Sequence, residues 1–179
     1  NIRAGLQGRK GYAGGVRASL RGGRPYAQVV GGRRSTGGAN FTVGPVNYRV
    51  RRILTNGRIQ DTYEDMSAES GAQFIGLPLS CLSCHNGLGH LEAVNTSLVH
   101  RTRYDFWKNA AFFAQVTMTT TRDQQANIVQ YTINDNTNGA SRLNTTSANK
   151  VARQPLAGQP NLVHPTASPT RETPNTRRP

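Results

Sequence analysis

The 179-residue chain has few of the apolar residues that form a large core and few of the cysteines that stabilise a small one through disulfide bonds. It contains two cysteines, one tryptophan and 35% hydrophobic residues, which is lean for a globular protein, so we expect a core over only part of its length. No apolar run approaches the ~18–20 residues of a transmembrane helix, and this excludes a membrane-spanning helix. No secretory signal is visible and the first residue is not Met, so we expect a mature product or a piece of a longer protein.

Acidic residues are missing from the first third of the chain. The first carboxylate is Asp61, and the sixty residues before it contain twelve Lys and Arg. The whole chain has 22 Lys and Arg against 9 Asp and Glu, a net charge of +13. A basic segment suits an anionic partner such as nucleic acid, an acidic protein or a membrane surface. It is also typical of a solvated arm, which is the interpretation we favour.

Composition divides the chain into three segments. Residues 1–23 are a Gly/Arg-rich basic arm, whose seven glycines disfavour a helix. Residues 24–154 are the domain in which we expect the core and the functional site. Residues 155–179 are a Pro-rich tail without periodicity, which we expect to be extended or packed on another molecule.

Two helices and one hairpin are predicted in the middle segment. The first helix begins near Asp61 and ends at Gly76, with apolar residues three and four apart. The second begins at the capping-box pattern Thr102-Arg103-Tyr104-Asp105 and has an aromatic side. The apolar run 128–133 and residues 142–146 flank the turn-forming sequence NDNTNG, which predicts that they pair as a hairpin.

Both cysteines lie in one pentapeptide, Cys81-Leu82-Ser83-Cys84-His85. Two thiols three residues apart, followed at once by histidine, are the attachment signature of a c-type haem. The two thiols, Cys81 and Cys84, add to the vinyl groups on one edge of the porphyrin, and His85 binds the iron from the proximal side. The pattern predicts one covalent haem c per chain.

The sixth iron ligand is left open by the sequence. His90 follows the proximal His85 by only five residues, so its loop would have to swing round the haem edge, whereas His100 has more slack. A histidine gives a lower redox potential than a methionine. The candidates are His90 and His100 in the first place, and also His164, Met66 and Met118.

Three other interpretations compete for the cysteines. A structural zinc site needs four protein ligands, and these would be Cys81 and Cys84 with two of His85, His90 and His100. A redox dithiol usually follows a strand and opens a helix, and no such unit is visible. The thiols can also be inert core residues.

Several longer runs resemble one family. They are GRPYAQVV, GPVNYRVRRI, DTYEDMSAESGAQFIGLPLSCLSCHNGLGHLEAVN and RTRYDFWKNAAFF, with ARQPLAG near Ala152. Together they resemble the planctomycete-type cytochrome-c-like domain of large secreted bacterial proteins, over roughly residues 24–165. The resemblance implies a mainly α fold with cytochrome-c-like helices around one covalent haem, to which the sequence adds a small C-terminal β-hairpin and extended termini. It also implies an extracytoplasmic location in the periplasm, at the cell surface or secreted.

The function predicted from these observations is electron transfer by a c-type cytochrome subunit or domain. We find no carboxylate pair or Ser/His/Asp arrangement for hydrolysis, and Glu64 and Glu69 are assigned to a solvated helix face, so we expect an electron carrier rather than a catalyst. Its partners would be redox proteins or other haem subunits, or further copies in a larger complex. The alternatives are a structural subunit of a haem-protein assembly or filament, and a zinc module with a nucleic-acid-binding arm. No base-stacking module accompanies the arm, so nucleic acid is not favoured.

Overall fold

The computed structural model describes residues 13–29, 37–53, 58–143, 145 and 151–165. Of these residues 42% are helical and 17% lie in strands, which form two small antiparallel sheets. The predicted mainly α, cytochrome-c-like fold around a haem is therefore wrong, and the domain is mixed α/β. The prediction underestimated the strands because Thr-rich segments carry little hydrophobic alternation although Thr favours β structure.

Five helical segments and five strands follow one another along the described chain. The helical segments are α1 (13–21), α2 (26–29), α3 (Asn47–Val50), α4 (Ile59–Ile75) and α5 (Arg103–Ala114). Short 3-10 helices occupy Gly44–Val46, Leu79–Ser83 and Thr96–Leu98. The strands are β1 (Gly38–Ala39), β2 (Val116–Arg122), β3 (Ile128–Asp135), β4 (Ser141–Arg142) and β5 (Leu162–Val163).

Helices α4 and α5 pack against each other and carry the core. The capping box predicted for α5 is confirmed, because the Thr102 hydroxyl accepts from the Asp105 backbone N–H and the Asp105 carboxylate accepts from the Thr102 N–H. Helix α4 ends as predicted at Gly76, whose φ of +69° is the left-handed conformation that favours glycine. Residues of both helices bury apolar side chains in one contact, among them Tyr63, Met66, Ala110, Phe113 and Ala114.

The start and the outer face of α4 differ from the prediction. The helix begins at Ile59, so Asp61 lies in its first turn rather than at its cap. Glu64 and Glu69 are buried, with 3% and 8% of their surfaces exposed. The expected solvated face is therefore wrong, and the reason is that arginines outside the helix pair with these carboxylates.

The three-stranded sheet has the order β1-β3-β2 and is antiparallel. Strand β3 pairs with β2, with Met118 opposite Ile133. The predicted hairpin partner is wrong for the described residues of that segment, since Arg142 pairs with Leu162 of β5 and Thr145 with Arg153. The loop of this hairpin is organised by Asp123, whose carboxylate accepts from the N–H groups of Gln125 and Asn127 at 3.0 and 2.8 Å. The sheet closes over a small apolar cluster around Val46 and Ile133.

The predicted terminal segments are partly folded. Residues 13–21 are helical although the glycines around them disfavour a helix, so that expectation is wrong for this part of the arm. Strand β5, inside the predicted tail, pairs with β4 of the same chain, and Val163 joins the main core. Residues 1–12 of the predicted arm and 166–179 of the predicted tail lie outside the described residues. Within the described residues, no helix is both long and apolar enough to span a membrane.

Candidate functional site

The Cys-x-x-Cys-His segment forms a tight turn directly after α4. The chain reverses at Gly76 and enters the 3-10 helix Leu79–Ser83, whose Leu79 and Leu82 are buried in the main core. Cys81 is half-buried and packs against the same core, whereas Cys84 is exposed, and both are free thiols. The buried leucines thus hold the turn against the core. The same short segment presents two thiols that are free to react.

The imidazole of His85 is held in a defined tautomer. Its Nδ1 lies 2.8 Å from the carbonyl oxygen of Asn86. Because a carbonyl can only accept, Nδ1 carries the proton and donates, which leaves the lone pair on Nε2. Histidines that bind metals commonly donate their second ring N–H to a carbonyl in this way. His85 is therefore prepared to bind a metal through Nε2.

The loop after His85 is fastened to the start of α5. The Gly87 N–H donates to the Arg101 carbonyl at 2.8 Å, and the Arg103 N–H donates to Asn86 Oδ1 at 2.9 Å. A Cβ on Gly87 would lie 1.9 Å from the Leu98 carbonyl oxygen, so only glycine fits this close approach. These contacts fix the chain directly after His85.

Arg103 joins the turn to the C-terminal part of the described chain. Its Nε donates to the Ser83 carbonyl at 3.2 Å, and its Nη2 donates to the Ala152 carbonyl at 2.9 Å. The guanidinium also lies over the ring of Trp107, 4.8 Å from its centroid. Burial lowers the pKa of Arg103 from its ordinary value, but a guanidinium stays protonated at neutral pH. The charge of Arg103 is therefore a permanent part of the site.

Of the two leading sixth-ligand candidates, His90 lies against the proximal histidine itself. The ring centroids of His85 and His90 are 4.5 Å apart and tilted by 40°. Two imidazoles on opposite faces of one iron would have their nitrogens ~4 Å apart and their ring centres farther still, since each nitrogen lies ~2 Å from the metal. In the described chain the two rings therefore lie closer together than that, and His90 as the sixth ligand stays a prediction.

The other sixth-ligand candidates are spread over the domain. His100 and His164 are exposed. Met66 is buried in the contact between α4 and α5, and Met118 packs beside the same contact from β2. The structure does not bring any of these four side chains into a contact with His85, so the sixth ligand stays a prediction without a residue assigned to it.

A zinc centre receives no support from the geometry. A closed structural zinc site takes four protein ligands. Among the residues that the structure describes, no group of three or more His, Cys, Asp and Glu side chains is placed to hold a metal ion. The donor set at the turn fits a c-type haem better, because that group needs only two thiols and one imidazole from the chain.

Sequence reasoning missed the most deeply buried charge in the described chain. Arg153 is 1% exposed, and its guanidinium donates to the carboxylates of Asp61 and Glu64 on α4. Although burial opposes the charged form, hydrogen bonds to Glu64 and Asp61 raise the pKa of Arg153 above its ordinary value. The only signal in the sequence is the run ARQPLAG, which contains Arg153 but does not indicate its partners. This contact holds residues 151–153 beside the site, where Arg103 donates a hydrogen bond to the Ala152 carbonyl.

The comparisons with protein families, with curated proteins and with solved structures find nothing that matches this chain.

Proposed function

We propose that this chain is a c-type cytochrome subunit or domain that carries one haem bound covalently through Cys81 and Cys84, with His85 as the proximal iron ligand. In this proposal it transfers single electrons to redox partner proteins or to other haem subunits outside the cytoplasm. The likeness to the planctomycete-type cytochrome-c-like domain belongs to the same proposal, restricted to sequence motifs, since the fold is mixed α/β.

The observation that carries the proposal is the state of His85 within the Cys-x-x-Cys-His segment. An imidazole that donates from Nδ1 to the Asn86 carbonyl offers Nε2 to a metal. It directly follows an exposed thiol, Cys84, and lies four residues after a half-buried thiol, Cys81, on the apolar core. A zinc site that used His85 would need the same tautomer, so the haem assignment rests on this histidine together with the Cys-x-x-Cys-His spacing.

When bound, the group supplies a one-electron redox centre. The residues of this chain hold and orient it. The two thiols would fix one edge through thioether bonds, and the clamped Asn86–Gly87 backbone keeps the His85 ring from turning. Arg103 keeps a positive charge at the turn, which favours the more reduced, less positively charged state of a nearby centre.

The test is expression in a host that attaches haem to exported c-type cytochromes. The purified protein is extracted with acidified acetone, and the pyridine haemochrome spectrum of the polypeptide fraction is recorded. We expect colour to stay with the polypeptide and the haemochrome band to have the position typical of two thioether links. Cys81→Ala and Cys84→Ala should each shift that band to the position of a single link, and the double variant should lose the colour.

Arg142→Ala is the matched control, since it changes an exposed side chain on β4, far along the chain from the turn. We expect full attachment in this control. His85→Ala should keep some covalent haem but change the Soret band, because the proximal ligand is lost. A protein that is colourless in the polypeptide fraction, when a known c-type cytochrome matures in the same cells, would refute the proposal.

A further inference from the structure

A cavity of about 320 Å³ lies beside the turn, between the end of α4 and the outer face of α5. Cys81, Cys84 and His85 are not among its lining residues. Ligand pockets in proteins span ~300–1,000 Å³, so this cavity suits a small ligand. The cavity wall is therefore distinct from the thioether and iron ligands of the proposed haem site.

Most of the cavity wall is apolar. Leu82, Leu98 and Phe106 form a floor in which each side chain is 1% exposed. Ile75 and Phe112 also line the cavity and are 61% and 41% exposed. Exposed large apolar side chains around a buried apolar floor favour an apolar ligand body, since its binding removes their surface from water.

The charged residues of the lining leave one net positive charge. Lys108 Nζ lies 2.9 Å from Asp105 Oδ1, so these two charges compensate each other. Asp105 is further fixed by Thr102, whose N–H and hydroxyl donate to Oδ2. Arg101 also lines the cavity. Its guanidinium has no hydrogen bond or ion pair with any of the residues that the structure describes.

The backbone of Arg101 is nevertheless fixed. Its N–H donates to the Leu98 carbonyl at 3.0 Å, and its carbonyl accepts from Gly87 at 2.8 Å. A cation on a fixed backbone at the edge of an apolar cavity pairs well with one carboxylate. The neighbouring Asp105 carboxylate disfavours ligands with several negative charges.

We infer that this cavity binds a small amphiphilic monocarboxylate, with its apolar body on Leu82, Leu98 and Phe106 and its carboxylate on Arg101. The lining shares no residue with the proposed thioether and iron ligands, although Leu82 stands between the two cysteines. A single-chain fatty carboxylate is the probe class that has both features.

The test is isothermal titration calorimetry of the full chain with hexanoate, octanoate and decanoate, each below its micelle-forming concentration. We expect saturable binding at one site per chain, tightening about fourfold for each added methylene while the apolar body still fits. Octanol should bind more weakly than octanoate, and octylammonium more weakly than either.

Arg101→Gln should weaken octanoate about fivefold and leave octanol unchanged, since its contact with the ligand is a charge-assisted hydrogen bond. Arg142→Gln is the matched control, because Arg142 is exposed on β4 and does not line the cavity; it should change neither affinity. Absence of saturable binding to the full chain would overturn the inference, as would equal affinities for octanoate and octanol that Arg101→Gln does not alter. Haem attachment, measured separately, is unaffected by either result.

Discussion

Each half of α4 buries carboxylates, but the first half pairs them with a buried arginine and the second half with exposed arginines. In the first half, Asp61 and Glu64 bind Arg153, and the three side chains are 5%, 4% and 1% exposed. In the second half, the Glu69 side chain is 6% exposed but binds the side chains of Arg51 and Arg52, which are 48% and 39% exposed. One network is buried throughout, and the other is open to water on its cationic side.

The difference shows what each network does for the fold. Arg153 is 92 residues from Asp61 and holds the late segment 151–153 against α4. Arg51 and Arg52 lie only 18 and 17 residues before Glu69 and attach the neighbouring α3 region. The buried network therefore links distant parts of the chain around the candidate site, and the open one strengthens a local contact.

The largest effect is expected for Arg153→Ala, which breaks the buried network. It leaves two carboxylates without their cation in the interior, and such changes cost ~3–5 kcal/mol. We expect the free energy of unfolding, measured by urea denaturation, to fall by that amount. Arg142→Ala, at an exposed strand position, is the control and should change it little. A loss below ~1 kcal/mol for Arg153→Ala would contradict the distinction between the two networks.

A smaller effect is expected for Glu69→Gln, which removes the buried partner of the open network. The glutamine keeps an acceptor oxygen, but the charge-assisted bonds from Arg51 and Arg52 are lost, at a cost of about 2 kcal/mol. Denaturation in urea measures the loss. If Glu69→Gln lowers the free energy of unfolding as much as Arg153→Ala does, then the exposure of the arginines does not set the strength of the two networks.

A still smaller effect is expected for Arg52→Gln. The hydrogen bond to Glu69 raises the pKa of Arg52. Without the Arg52 guanidinium, Glu69 still keeps its ion pair with Arg51. Exposed ion pairs are worth ~0–1 kcal/mol. We expect the stability loss to stay in that range and to shrink as salt is added, because salt screens exposed charges. Repeating the denaturation at low and high salt checks this. A salt-independent loss of several kcal/mol would place Arg52 in the buried class.

The smallest effect concerns pH at the start of α5. Burial raises the pKa of the Asp105 carboxyl, but hydrogen bonds from Lys108 and Thr102 lower it more. The pKa therefore stays below its ordinary value of 3.8. A carboxyl with a depressed folded-state pKa stabilises fully above that ordinary value and loses its contribution as pH falls through the folded value. We expect Asp105→Asn to be less stable than the wild type at pH 6, with the gap closing below about pH 3.8. Thermal unfolding across this pH range measures the difference in stability between the two proteins. A difference that grows as the pH falls would contradict a depressed pKa for Asp105.

Local signals in the sequence predicted the local structure around the site. The Thr102–Asp105 pattern gave the correct start of α5, and Gly76 gave the correct end of α4, because a cap depends only on residues within one turn. The aromatic helix beside the Cys81–His85 segment was also predicted from neighbouring residues.

Long-range pairing could not be predicted in the same way. The carboxylates Glu64 and Glu69 look solvated by their spacing, and only arginines outside the helix make their burial tolerable. The sequence pattern predicts that residues 128–133 pair with residues 142–146, although β2 is nearer along the chain, because VTMTTTR has only two apolar residues for a pattern to detect. The contact between His85 and His90 likewise depends on loop geometry that spacing alone does not specify.

The most direct test of the central claim is the intact mass of the denatured protein after maturation with haem. The account predicts the polypeptide mass plus one haem, and the unmodified polypeptide mass for the variant in which both Cys81 and Cys84 are alanine. An unmodified mass for the wild type, from cells in which a known c-type cytochrome is fully matured, would contradict it.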